Sequence, residues 1–92
     1  MSRRGIDRES KDLFFKTLEN LKGDEFLDLL ESLLSSSELR DICRRLMAAK
    51  LLQEKLTYED VQDIMGMGSN TVNKIRFKTR GSPAIQKLFK KD

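Results

Sequence analysis

The chain contains no histidine and no tryptophan, and it has one cysteine and one proline. The missing imidazole removes histidine general bases, histidine-containing triads and the common zinc sites together, because those chemistries need a titratable imidazole or several thiolates. Cys43 has no partner for an intrachain disulfide, and inside a helical pattern it reads as a small buried apolar residue. No paired carboxylate cluster, metal-ligand spacing or activated nucleophile emerges, so the chain is not expected to be an enzyme and no cofactor or metal is implied. No apolar run is long enough to cross a bilayer, and no apolar stretch follows the basic residues of "MSRRGIDRES" as a secretory signal requires. The expectation is a cytoplasmic protein with no membrane partner.

What is present is charge and leucine. Ninety-two residues, 38% apolar and 36% charged, make one globular domain whose monomer core is modest, so oligomerisation is expected. The net charge of +3 hides a segregation: residues 1–73 carry 11 basic and 14 acidic side chains, whereas residues 74–92 carry 7 basic and 1 acidic. A polyanionic partner accounts for such a basic end, and so does a solubilising surface.

Leu, Lys, Glu and Arg dominate and β-branched residues are few, which predicts an all-α chain of about six helices with no strand. A first helix over residues 7–21 aligns Phe14, Leu18 and Leu21 on one face with Leu13 alongside, and Gly23 ends it. Asp24 is placed to cap a second helix, "EFLDLLESLL", whose apolar residues cover more than one face. A helix that apolar is either deeply buried or lies between two chains. Ser35 with Glu38 three residues on forms a capping-box signature for a central helix within residues 35–55, where Leu39, Ile42, Leu46, Ala49 and Leu52 or Gln53 fall near helical period.

Two short helices follow in "KLTYEDVQDIMGMGSNTVNKIRF". Thr57 caps the first with Asp60 at its third position, and Val61, Ile64 and Met65 give it an inner face. Ser69 is expected to cap the second, in which Val72 and Ile75 point inward and Asn70, Asn73, Lys74 and Arg76 outward. Gly81 then stops the chain's helical run, and Ser82 caps a last helix over residues 82–91 with Pro83 in its first turn, where a missing amide costs nothing.

The Gly-x-Gly of "MGMGSN" is not a phosphate loop, because no strand precedes it and neither a third glycine nor a Gly-Lys-Ser/Thr ending follows. It fits a tight corner between helices, with Gly66 taking the positive φ that glycine adopts without Cβ strain. This is a helix-turn-helix within residues 57–78: a support helix over about 58–65, the turn, and a recognition helix over about 69–78. Small polar residues at the start of that second helix, amides at Asn70 and Asn73 able to pair with adenine, and the cations behind them point to double-stranded DNA. An ordinary helical hairpin in a bundle is the competing reading.

"RRLMAAKLLQEKLTYEDVQDIMGMGSNTVNKI" resembles the core of the Trp-repressor superfamily, including the Trp-repressor-like branch in which the pattern "RL…A..LL…T…I…G.S..T…" recurs. The likeness extends over about residues 34–76, and the helix-turn-helix docking geometry is the family's own. The resemblance implies an intertwined homodimer in which N-terminal helices, here within residues 1–34, wrap the partner chain while two recognition helices face one side of the DNA. It also implies a near-palindromic operator. Aligned on the glycines, Gln62 and Glu59 of the support helix and Ser69, Asn70 and Asn73 of the recognition helix match positions that touch phosphates and base edges in the family. Glu59 departs, because a carboxylate repels phosphate. Base readout is therefore assigned to Asn70 and Asn73, backbone or water-mediated contact to Gln62 and Ser69, and phosphate attraction to Lys74, Arg76 and Lys78.

The family's indole pocket needs two arginines and a glycine. Here the first arginine is Arg44 or Arg45, but Lys74 and Ile75 stand where the second arginine and the glycine belong, so tryptophan is not expected as corepressor. Arg44 and Arg45 then read as surface or salt-bridge residues. The functional expectation is a dimeric, sequence-specific DNA-binding regulator that represses by occupying its operator; the alternative is a helical dimerisation or adaptor module whose basic end meets an acidic protein. "SRRG" at the N-terminus reads as a solubilising end in preference to a basic arm along DNA.

Overall fold

Glycines and caps divide the leucine-rich sequence into six α-helices in the computed structural model, which describes residues 5–89. They are α1 (Ile6–Asn20), α2 (Asp24–Leu33), α3 (Ser36–Gln53), α4 (Tyr58–Met65), α5 (Ser69–Thr79) and α6 (Pro83–Leu88). No strand occurs among the described residues. The expectations placed on residues 1–4 and on residues 90 and 91 lie outside them. The backbone forms two compact units, Met1–Ser36 and Ser37–Asp92.

In the first unit, Gly23 breaks α1 from α2 with φ 54°. Asp24 was expected to cap α2, but the cap position belongs to Gly23 and Asp24 is already the first helical residue. The first amides are served by backbone, the Glu25 N–H donating to the Lys22 carbonyl at 3.1 Å and the Phe26 N–H to the Gly23 carbonyl at 3.3 Å, while the Glu25 carboxylate reaches back to accept from the Lys22 N–H at 3.0 Å. Neither helix buries a residue fully. Leu18, Leu21, Leu29 and Leu30 are half-buried, but Leu13, Phe15, Leu27 and Leu33 are half exposed or more and Phe26 nearly so. Deep burial of α2 therefore does not occur within the first unit. A shallow cleft of about 340 Å³ runs between the two helices, floored by Leu13, Phe14, Leu29 and Leu33.

The second unit holds the core. Ala48, Ala49 and Leu52 of α3, Val61 and Met65 of α4, and Val72 and Ile75 of α5 are buried together, with Leu51, Leu56, Met67 and Ile85 packed around them. Each of the larger side chains contributes about 1.5–3 kcal/mol by leaving water. The alanines have a different use: a residue ending at Cβ lets a neighbouring helix approach closely.

Helix α3 carries two faces. Its inner row is Ala48, Ala49 and Leu52, whereas Ile42 and Leu46, expected on the inner row with Ala49, are nearly half exposed. Cys43, expected to be buried, is exposed, because five residues before Ala48 places it on the far side of a helix with 3.6 residues per turn. No helix among the described residues is long and apolar enough to cross a membrane.

Candidate nucleic-acid interface

The local sequence at the junction of α4 and α5 determines how α5 is presented. Thr57 opens α4 with a full capping box: its hydroxyl accepts from the Asp60 N–H at 3.0 Å, and the Asp60 carboxylate accepts from the Thr57 N–H at 3.1 Å. Such a cap contributes about 1 kcal/mol. Val61 and Met65 then fall four apart on the buried side. Ile64, expected beside them, instead turns outward and is 60% exposed.

Gly66 ends α4 in the left-handed region, at φ 64° and ψ 37°. Its N–H donates to the Gln62 carbonyl, and so does the Met67 N–H, at 3.1 Å. Arg44 of α3 donates from its guanidinium to the Met65 carbonyl. A cation on the last carbonyls of a helix meets the negative end of its dipole. The corner is thus held from both sides, by α4's own backbone and by α3.

Gly68 has an ordinary extended conformation, φ −75° and ψ 165°, and it occupies the cap position of α5. Its carbonyl accepts the first helical bond, from the Val72 N–H at 3.2 Å. Ser69 was expected there. It is one residue further on, inside the first turn, and makes no capping bond.

Burial of Val72 and Ile75, with Thr79 half-buried one turn on, fixes the inner side of α5. At 3.6 residues per turn the opposite side carries Asn70 and Phe77, flanked by Asn73 and Arg80 on one edge and by Lys74, Lys78 and Thr71 on the other. All seven are exposed. Ser69 is exposed at the helix start. Two candidates stand apart from this surface. Arg76, expected in solvent, is half-buried on the flank beside Val72, four residues before it, and Gln62 is half-buried on α4, where its carbonyl holds the corner.

The charge of this surface is one-signed. Residues 64–91 include no carboxylate at all, so Lys74, Lys78 and Arg80 have no acidic neighbour along their own segment. Beside α5 an open cleft of about 660 Å³ is lined by Lys74, Ile75, Phe77 and Lys78 together with Arg45 of α3. Arg45 was read from sequence as an ordinary surface residue, and only the packing of α3 against α5 brings it to these lysines. Phe77 and Arg80 were also missed. A signal for them existed, since Phe77 lies seven residues after Asn70 and Arg80 seven after Asn73, two helical turns along the same face.

Ile75 is only 6% exposed and its side chain is part of the core. Arg44 is engaged by the α4 carbonyl end.

A scan against models of protein families matches residues 9–91 to the family described as Trp repressor protein. No curated protein and no solved structure matches the chain.

Proposed function

The chain belongs to the Trp repressor protein family, a family of DNA-binding regulators and not of enzymes, and from that premise we propose that it is a sequence-specific regulator that binds double-stranded DNA through α5. In this reading α4, the Gly66–Gly68 corner and α5 are a helix-turn-helix, a motif for which this family is itself one of the standard examples. The observation that carries the proposal is the outward side of α5. It presents the amides of Asn70 and Asn73 over a helix pinned by Val72 and Ile75, amid cations and without a carboxylate.

Each part of the site then has a role. Asn70 and Asn73 pair with adenine edges in the major groove, each able to offer an acceptor and two donors. Ser69, at the helix start, and Gln62 make backbone or water-mediated contacts, where the helix N-terminus itself favours an anion. Lys74 and Lys78 attract phosphates, with Arg76 a more distant contributor from its half-buried flank.

The protein acts as a dimer. The exposed leucines and phenylalanines of α1 and α2 and the outer row of α3 are too much apolar surface for a chain that works alone. A two-fold pair presents two copies of α5 to successive turns of one DNA face, so the site is near-palindromic, with half-sites about 34–36 Å apart. Repression follows from occupying that site. Tryptophan is not the effector, because Ile75 takes the space and lysine at 74 supplies no guanidinium plane.

Selection of bound sequences from random DNA tests this. A two-fold symmetric site with that spacing is expected, bound with an affinity whose logarithm falls with log salt by about 0.9 for each phosphate contacted. Recovery of no sequence above the starting pool, with retained binding to acidic proteins, would replace the reading with that of an adaptor.

A further inference from the structure

Phe77 is the most exposed large apolar side chain among the described residues, at 72%. A single exposed apolar side chain is ordinary in itself; what distinguishes this one is its neighbour. Phe77 projects from the middle of the outward side of α5, two turns beyond Asn70, and the guanidinium carbon of Arg80 lies 5.8 Å from its ring centroid. That is the distance at which an arginine is attracted to an aromatic face.

Arg80 is fixed from its backbone as well. Its N–H donates to the Arg76 carbonyl at 3.0 Å, and its carbonyl accepts from the Gln86 Nε2 at 2.9 Å. The Gln86 bond ties the end of α5 to α6, which is itself started by Ser82 accepting from the Ile85 N–H at 3.3 Å. A long cationic side chain normally loses much rotamer entropy when it meets a phosphate. Here the backbone is locked on two sides and the guanidinium rests on a ring.

We propose that Arg80 is a phosphate-contacting residue of the DNA surface and that Phe77 is its positioning residue, a platform that holds the guanidinium ready without reading a base itself. The inference rests on the DNA-binding reading of α5 and extends it to two residues outside the amide pair. Stacking leaves the guanidinium's edge N–H groups free, and those are the groups that donate to phosphate in pairs.

The test is a double-mutant cycle on the full chain, using the DNA site recovered by selection and an unrelated duplex of equal length, each at several salt concentrations. Arg80→Ala is expected to weaken both duplexes alike and to reduce the salt slope by about one contact. Phe77→Ala is expected to weaken binding about two- to fivefold, the worth of an exposed cation–π contact, and to add nothing once Arg80 is alanine. Phe77→Tyr keeps the ring and should bind like the unmodified protein, whereas Phe77→Leu keeps the apolar bulk and should not. The proposal is overturned by a Phe77→Ala loss that is equally large in the Arg80→Ala background, or confined to the selected site, because Phe77 would then touch DNA directly. An unchanged salt slope in Arg80→Ala overturns it too. If the unmodified protein fails to bind DNA, the broader reading of α5 has failed instead, and circular dichroism on each variant separates loss of contact from loss of fold.

Discussion

The two glycines of the corner should respond oppositely to substitution, although one residue separates them. At Gly66 the backbone stands at φ 64° and ψ 37°, and a Cβ built there would meet no atom within 4 Å. Crowding therefore adds nothing, and the cost of Gly66→Ala is the left-handed backbone alone, about 1–2 kcal/mol. Alanine also restricts the unfolded chain, which returns about 0.4–1 kcal/mol, so the net loss is expected to be about 1 kcal/mol. For a domain of this size that is a fall of about 4–8 °C in Tm. Gly66→Asn should lose less, since asparagine visits this region more readily, and Gly66→Val more. Gly68 stands at φ −75° with equally open surroundings. Gly68→Ser places a hydroxyl at the cap of α5 and should leave stability unchanged or raise it by a few tenths of a kcal/mol. Thermal and urea unfolding followed by circular dichroism, at one fixed protein concentration because a dimer's midpoint moves with concentration, measures all four variants. A Gly66→Ala protein as stable as the unmodified one, or a Gly68→Ser protein as damaged as Gly66→Ala, would refute the assignment of the turn.

Val72→Ala should cost about 2 to 3 kcal/mol, combining two lost carbons with the cavity they leave in a fully buried site, and urea unfolding reads it directly. L-Tryptophan should give no binding heat by calorimetry and should leave DNA affinity unchanged; saturable binding would contradict the role given to Lys74 and Ile75. Sedimentation equilibrium should show a dimer, and Leu27→Glu with Leu33→Glu, which place charge on the open face of α2, should shift it to monomer.

Much of the second unit was legible because its signals are local. Thr57 with Asp60, Gly66, and Ser82 with Pro83 each specify a backbone conformation within four residues, and each occurs as the pattern predicts. The same kind of reasoning failed twice in one way. At Gly23-Asp24 and at Gly68-Ser69 two adjacent residues could both cap, the polar one was preferred, and the glycine holds the position in both. Glycine lacks the capping oxygen but adopts the cap's backbone angles readily, so the helix starts one residue earlier than side-chain chemistry suggests.

Faces were harder than boundaries. A helix with two apolar stripes, as α3 has, gives two periodic solutions, and the row chosen through Ile42 and Leu46 meets the core only at its end, at Ala49 and Leu52, and leaves out Ala48. Alanine scores weakly as an apolar residue although it is what allows the helices to meet. Arg45 could not have been placed beside Lys74 and Lys78 by any local signal, since that neighbourhood is made by α3 packing on α5. Phe77 was given no side at all, although it lies two turns beyond Asn70 on the same face.

The central claim is that Asn70 and Asn73 on α5 read base edges. The most direct measurement is the affinity of the Asn70→Ala, Asn73→Ala double variant for the selected DNA site and for an unrelated duplex, at one salt concentration, beside the unmodified protein. Each amide–adenine pair is worth about 1–3 kcal/mol of discrimination, so the selected site should weaken by roughly thirtyfold or more while the unrelated duplex is held as before. An unchanged affinity for the selected site would contradict base readout by this helix.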